Sequence, residues 1–130
     1  MKIAQRAYEA YQRGGVEEAL EYLDPEIEWN MSEQFARAPR TFHGYDGIRE
    51  VAAIFDEYFE DFRTDPHEFI DAGDKVVVPV RLHGRLKGTG EKVEYDLVQV
   101  WTLRRGRAVR LDAYNDREEA FRETGAASRR

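Results

Sequence analysis

The chain has 130 residues, of which 42% are hydrophobic and 12% aromatic, a composition typical of one globular domain with a single core. Its 26 acidic residues outnumber its 20 basic residues and give a net charge of -6, so we expect no nucleic-acid partner, because phosphate binding needs a concentrated basic surface. The absence of cysteine excludes disulfides, thiolate chemistry and cysteine-ligated zinc.

The sequence predicts no contact with a membrane. The first residues, MKIAQRAYEAYQRGG, are charged and helical and lack the apolar segment of a signal peptide. No apolar run elsewhere approaches the length that crosses a bilayer. We therefore predict a soluble, cytoplasmic protein.

Two helices are predicted at the N-terminus. Residues 2–13 place apolar side chains at helical spacing, and Gly14-Gly15 ends this helix because glycine tolerates the left-handed conformation of a C-cap. A second, short helix is predicted over residues 16–23. The Asp24-Pro25 pair stops it, because the residue before a proline disfavours helical backbone angles.

The middle of the chain is predicted to hold a brief strand, a loop and a long helix. Residues 27–31 form the strand, and residues 32–45, which include Pro39 and Gly44, form the loop. Asp46 is a suitable N-cap for a third helix that runs to about residue 60. The apolar side chains of this helix at buried spacing are Ile48, Val51, Ala52, Phe55, Tyr58 and Phe59.

The C-terminal half is predicted to be a run of antiparallel strands with glycine turns. These strands cover residues 67–72, 75–86, 92–103 and 107–115, and a final helix capped by Asp116 ends at Gly125. Helices before an antiparallel sheet indicate an α+β fold, in which a curved sheet wraps around a cavity closed by the three earlier helices. We predict one domain over residues 1–125 and a flexible tail over 126–130.

The strand over residues 92–103 indicates a pocket. Its side chains alternate, and one face carries an apolar row interrupted by a single polar residue, Gln99. A buried amide without a partner loses about 1–3 kcal/mol, and a cavity that admits water or a ligand avoids that loss. The residues of this face are Val93, Tyr95, Leu97, Gln99, Trp101 and Leu103.

The opposite face of the sheet predicts an assembly. Val98 and Val100 lie on this outward face, together with Val77 and Tyr114, where a monomer would prefer polar residues. We therefore predict a homodimer packed through the convex face. Asp112 has the same outward parity, so we expect it to be solvated or to lie in that interface rather than in the pocket.

Four segments in this order resemble the SnoaL-like family of the nuclear transport factor two-like superfamily. They are YQRGGVEEALEYLDPEIEW, FHGYDGI, IDAGDKVVV and VQVWTLRRGRAVRLDAY, and the resemblance runs from about Ala4 to Gly125. It implies a cone-shaped, cystatin-like α+β fold. Relatives include ketosteroid isomerases, polyketide cyclases, dehydratases and epoxide hydrolases, and also members that only bind ligands, so the resemblance does not identify a reaction.

The resemblance also shows which isomerase groups this chain lacks. The steroid isomerases use a helix tyrosine, an aspartate base on the first strand and a protonated aspartate on a later strand. By resemblance these positions fall at Tyr8, at Asn30 or Met31, and at Gln99. Neither asparagine nor methionine accepts a proton at neutral pH, so we expect no isomerisation by that route. Glu33 in the predicted loop is the alternative source of a base.

The predicted pocket combines residues from the helices and the sheet. For Tyr8 two interpretations stay open: a core aromatic with a backbone partner, or a hydroxyl that donates to a ligand carbonyl. The inward row of the last strand is Val109, Leu111, Ala113 and Asn115. The predicted ligand pocket is lined by Tyr8, Trp29, Met31, Phe55, Gln99, Trp101, Leu111 and Asn115.

Two functional hypotheses follow. In the first, the protein binds a small hydrophobic, carbonyl-bearing molecule and acts as an isomerase, cyclase or hydrolase-type enzyme, with Tyr8, Gln99 and Asn115 polarising the carbonyl. In the second, it is a non-catalytic ligand-binding or dimerisation module. We predict no cofactor. We also predict no metal site, because His43, His67 and His83 share no metal-ligand spacing.

Overall fold

The structure is a computed structural model that describes residues 2–31, 40–114 and 117–124. The helices are α1 (Lys2–Gly14), α2 (Val16–Ala19), α3 (Gly44–Tyr58) and α4 (Arg117–Thr124), and a 3₁₀ turn (Leu20–Tyr22) follows α2. The strands are β1 (Leu23–Met31), β2 (Arg40–His43), β3 (Phe59–Pro66), β4 (Ile70–Ala72), β5 (Lys75–Leu86), β6 (Lys92–Arg104) and β7 (Arg107–Tyr114). Among these helices none is both long enough and apolar enough to cross a membrane.

The strands form one seven-stranded sheet in the order β2-β1-β7-β6-β5-β3, with β4 paired to β5. The longest pairing joins β5 and β6 and runs from Lys75 opposite Thr102 to Arg85 opposite Lys92. The neighbouring strands are antiparallel except β1 and β7, which are parallel. The predicted α+β class with a largely antiparallel sheet is therefore confirmed, whereas the parallel pairing of β1 with β7 was not predicted.

The two faces of the sheet have different coverings. On the inner face, Tyr8 of α1 and Ile48 of α3 share the main core cluster with Leu97 and Trp101 of β6. On the outer face, α4 covers part of the sheet. The period-two pattern of β6 thus separates its side chains as predicted, because neighbouring residues of a strand point to opposite faces.

Helix α4 covers the valines from which a homodimer was predicted. Val98 is 4% exposed and Val100 is 0% exposed, and both pack in a cluster with Ala120 of α4. Phe121 of the same helix packs against this cluster. The homodimer stays a prediction, but these valines no longer support it, since the chain itself buries them.

Asp112 is not solvated, so that part of the prediction is wrong. Its side chain is 10% exposed and lies between residues of β1 and β7. Asn30 Nδ2 donates to Asp112 Oδ1 at 2.6 Å, and Arg110 Nε donates to Asp112 Oδ2 at 2.9 Å. Thr41 Oγ1 in turn donates to Asn30 Oδ1 at 2.6 Å. The carboxylate is thus stabilised by neighbours from its own chain.

Strand β3 differs most from the prediction, in which the third helix runs to about residue 60 and the next strand starts at residue 67. Phe55, Phe59 and Phe62 have helical spacing, and their rings do cluster, with the Phe55 and Phe62 centroids 4.6 Å apart. However, the helix ends at Tyr58, which is 57% exposed rather than buried. A left-handed residue in a bulge, Asp61 with φ 55, brings Phe62 back beneath the helix.

Several predicted boundaries also differ. The predicted helix over residues 16–23 is split between α2 and the 3₁₀ turn, and β1 begins at Leu23, so the Asp24-Pro25 pair lies inside a strand. Strand β2 occupies the end of the predicted loop. The expected cap Asp116, the helix end at Gly125 and the tail lie outside the described residues, so the domain boundary stays a prediction.

Candidate ligand-binding cavity

A cavity of about 110 Å³ lies between the N-terminal helices, α3 and the inner face of the sheet. Its walls are mostly aliphatic and aromatic side chains from α1, α2, α3 and the inner strands. Asn115 lies outside the described residues, and the side chain of Met31 is not described. The predicted residues that line this cavity are Tyr8, Trp29, Phe55, Gln99, Trp101 and Leu111.

Strand β3 contributes lining residues that the sequence analysis does not identify. Phe62 and Thr64 both line the cavity. Their period-two spacing is a strand signal, but it is short and it overlaps the helical spacing of the phenylalanines before it. Tyr11 also lines the cavity, one turn after Tyr8 on the same face of α1.

A bulge changes the inward row of β7. Leu111 and Ala113 line the cavity as the alternation predicts. Between Thr102 and Leu103 the register with β7 shifts, so that Leu103 pairs with Ala108. Ala108 therefore belongs to the core cluster, and the predicted inward position of Val109 is wrong.

A chain of three hydrogen-bonded side chains crosses one wall of the cavity. Trp101 Nε1 donates to the hydroxyl oxygen of Tyr8 at 3.0 Å. The Tyr8 hydroxyl donates in turn to Oε1 of Gln99. The rings of Tyr8 and Trp101 are also in contact, with centroids 5.2 Å apart. Both interpretations of Tyr8 therefore need correction, because its hydroxyl has side-chain partners and directs its proton at Gln99.

The amide nitrogen of Gln99 has a different environment from the amide oxygen. Among the described residues, no group accepts a hydrogen bond from this nitrogen. In the same part of the chain, no side-chain nitrogen or oxygen that is sealed from solvent lacks a partner. The nitrogen is therefore accessible, and because Gln99 is largely buried and lines the cavity, we infer that its N–H groups face the cavity.

The lining that the described residues give the cavity is electrically neutral at neutral pH. Within the described residues it includes no aspartate, glutamate, histidine, lysine or arginine. Burial raises the pKa of Tyr8 well above its ordinary value, and burial followed by the charge of Asp56 raises the pKa of Tyr11. Both phenols therefore keep their protons, and the cavity offers apolar contact and neutral hydrogen bonds.

Asn30, one of the two candidate positions for the missing isomerase base, does not line the cavity. Trp29 lines it, so the neighbouring Asn30 faces the other side of β1, where it bonds to Asp112. The described part of the chain contains no group of three or more histidine, aspartate or glutamate side chains arranged to hold a metal ion. Glu33 lies outside the described residues.

Burial of Tyr8 predicts a loss of stability in alkali. Above pH 10, the ordinary pKa of tyrosine, the unfolded chain releases the phenolic proton while the folded chain retains it. The free energy of unfolding should therefore fall as pH rises, by about 1.4 kcal/mol per pH unit for this group. Denaturant unfolding of the parent and of Tyr8→Phe across this range measures the slope.

The control for this experiment is Tyr58→Phe. Tyr58 is 57% exposed in the folded chain, so its removal should leave the alkaline slope as in the parent. Tyr8→Phe should show a shallower slope even if its stability at neutral pH is lower. Equal slopes in the parent and Tyr8→Phe would contradict the burial argument.

The sequence matches a known protein family, and the fold is similar to several solved structures. The family described as "SnoaL-like domain" matches residues 4–111. An NTF2-like protein of unknown function from Burkholderia pseudomallei is 26% identical, with 94% of each chain covered and a TM-score of 0.78. The protein TerC, co-crystallised with polyporic acid, is 29% identical, with 94% of each chain covered and a TM-score of 0.77.

A third similar structure is an NTF2-like protein from Burkholderia thailandensis. It is 27% identical, 88% of each chain is covered, and the TM-score is 0.79. The search of curated proteins finds no match to the sequence. The solved structures therefore support the fold over nearly the whole chain and assign no reaction to it.

Proposed function

This chain belongs to the SnoaL-like domain family, and we propose that its cavity binds a small, largely apolar molecule that carries a carbonyl group. The observation that supports this most directly is a neutral amide, Gln99, in a wall that is otherwise mostly apolar. Apolar contact supplies most of the binding free energy, at about 25 cal/mol per Å² removed from water. The amide supplies the preference for a carbonyl.

The size and charge of the cavity limit the ligand. An apolar cavity of about 150 Å³ in another protein holds benzene, so the 110 Å³ here encloses a group no larger than one ring. A charged ligand group would lose its hydration without gaining an opposite charge from the described lining. Co-crystallisation of the similar protein TerC with polyporic acid supports the binding of an organic molecule.

The described lining favours binding over proton abstraction. A general base must lie within hydrogen-bond reach of the proton it removes, and neither a carboxylate nor a histidine lines the described cavity. Tyr8 and Tyr11 keep their protons at neutral pH. The enzymatic alternative therefore depends on a base from outside the described residues, for which Glu33 is the candidate.

The variant Gln99→Leu tests the role of the amide. We expect the dissociation constant of acetophenone to rise about threefold to tenfold, because one hydrogen bond to the carbonyl contributes about 0.5–1.5 kcal/mol. The isosteric hydrocarbon α-methylstyrene carries a methylidene group instead of the carbonyl, so its dissociation constant should change little. Ligand-observed NMR titration measures both constants.

The control variant is Leu111→Val, which changes the apolar wall of the same cavity. It should alter the binding of acetophenone and α-methylstyrene by the same factor, because it removes no hydrogen-bonding group. If Gln99→Leu also weakens the two ligands equally, Gln99 only shapes the wall and carbonyl recognition is wrong.

A further inference from the structure

The hydrogen-bond chain across the cavity wall has a direction. An indole N–H can donate and cannot accept, so Trp101 is always the donor in its contact with the Tyr8 oxygen at 3.0 Å. The Tyr8 hydroxyl must then direct its own hydrogen at another acceptor. Oε1 of Gln99 is that acceptor.

The opposite orientation of the Gln99 amide conflicts with this direction. It would place the amide NH₂ against the Tyr8 oxygen, which already accepts from Trp101. The Tyr8 hydrogen would then lack its acceptor inside a buried site, a situation that proteins rarely tolerate. Trp101 occupies one side of the Tyr8 oxygen, and the buried Tyr8 hydrogen needs an acceptor on the other side, so together they determine which end of the amide faces Tyr8.

We propose that Trp101, acting through Tyr8, holds the Gln99 amide with its N–H groups toward the ligand, so that the cavity selects hydrogen-bond acceptors such as ketone, ester or quinone carbonyls over alcohols of the same shape. This inference rests on the proposed function. It makes Trp101 and Tyr8 positioning residues and Gln99 the group that contacts the ligand. The Tyr8 hydroxyl, whose proton Gln99 already accepts, is not the donor to the ligand.

Two hydroxyl groups in the cavity lining limit how strongly a ketone can be preferred over an alcohol. Thr64 and Tyr11 also line the cavity, and each carries a hydroxyl oxygen that accepts hydrogen bonds. An alcohol can accept from Gln99, but it loses one net hydrogen bond relative to the ketone unless its own hydrogen reaches one of these oxygens. We therefore expect the ketone to be preferred by about threefold to tenfold, the factor that one net hydrogen bond supplies.

The orientation does not change with pH in the neutral range. Burial raises the pKa of Tyr8, so its hydroxyl keeps the proton that it donates to Gln99. Tyr11, the other ionisable group in the described lining, has its pKa raised as well. The ketone preference should therefore be the same on either side of neutral pH.

The test compares acetophenone with 1-phenylethanol by NMR titration in the parent, Trp101→Phe and Trp29→Phe. Trp101→Phe removes the donor that orients the hydrogen-bond chain, so the Gln99 amide can turn its oxygen to the cavity. The ratio of the two dissociation constants should then approach one or favour the alcohol. Trp29→Phe also removes an indole ring from the cavity lining, but Trp29 is not a member of the hydrogen-bond chain. It should change both dissociation constants by the same factor.

A second variant covers the case in which Trp101→Phe does not fold. Tyr8→Phe removes the hydroxyl that links Trp101 to Gln99, and the ketone preference should fall in the same way. An unchanged ratio of the two dissociation constants in a folded Trp101→Phe or Tyr8→Phe variant overturns the inference.

The result separates this inference from the proposed function. If Gln99→Leu fails to distinguish acetophenone from α-methylstyrene, the proposed function fails and the orientation has no ligand to act on. If Gln99→Leu does distinguish them but Trp101→Phe keeps the parent ratio of ketone to alcohol, only the positioning role fails. Loss of the ketone preference in Trp101→Phe, with the parent ratio kept in Trp29→Phe, supports the inference.

Discussion

The Asn30→Asp variant is expected to have a free energy of unfolding about 2 kcal/mol lower than the parent at neutral pH, because it places two carboxylates side by side in a half-buried site. In the parent, Asn30 Nδ2 donates to Asp112 Oδ1 at 2.6 Å. The side chain of Asp112 is 10% exposed and Asn30 is half-buried, so solvent screens only part of the repulsion. Urea unfolding measures the difference.

Acidification should reduce this deficit. Repulsion raises the pKa of the new carboxylate pair in the folded variant above the value of a free carboxyl group, about 3.9. As pH falls through the raised pKa, the folded variant binds a proton that the unfolded chain does not yet bind, and the free energy of unfolding rises relative to the parent. The deficit should therefore be largest at neutral pH and shrink toward about pH 4.

The exchange variant Asn30→Asp/Asp112→Asn is the matched control. It restores one amide and one carboxylate across the same pair of strands, with Arg110 still adjacent, so it should recover most of the lost stability. The single variant should not isomerise a ketosteroid, since position 30 faces away from the cavity. Parent-like stability together with isomerase activity in Asn30→Asp would contradict this placement.

The Ala120→Arg variant is expected to lose about 3 kcal/mol, because a long charged side chain cannot occupy a buried alanine site without overpacking and desolvation. Ala120 is 0% exposed and packs against Val98 and Val100. Glu118→Arg changes an exposed residue of the same helix. This control should stay within about 0.5 kcal/mol of the parent.

Light scattering on the same variants tests the predicted homodimer. Displacement of α4 in Ala120→Arg should expose Val98 and Val100, so the measured mass should rise with protein concentration. A parent with the mass of one chain at micromolar concentration would contradict the homodimer. In the unfolding measurement, an Ala120→Arg variant as stable as the parent would contradict the burial of α4 against the sheet.

Local patterns predicted most of the strands and both faces of the sheet. The alternation of β6 assigned Gln99 and Trp101 to the cavity side and Val98 and Val100 to the other side. Such an assignment is reliable because a shift by one residue would bury Glu94 and Asp96 in place of the apolar row. The fold class followed from the order of helices and strands.

Other features depended on how distant parts of the chain pack. The phenylalanines before β3 satisfy helical spacing, and only the bulge at Asp61 shows that the chain changes to a strand there. The valines of the outer face suggested a partner chain because their covering helix, α4, begins at Arg117, more distant in sequence than a local pattern can detect.

By itself, the sequence determined the fold class, the faces of β6 and the presence of a polar amide in an apolar row, since strand periodicity and burial are local properties. Only the tertiary structure decided what that amide does. Tyr8 and Gln99 are 91 positions apart in sequence, and Tyr8 and Trp101 are 93 apart. Hydrogen bonds between such distant residues form only once α1 packs on the sheet, so their direction cannot be derived from a local pattern.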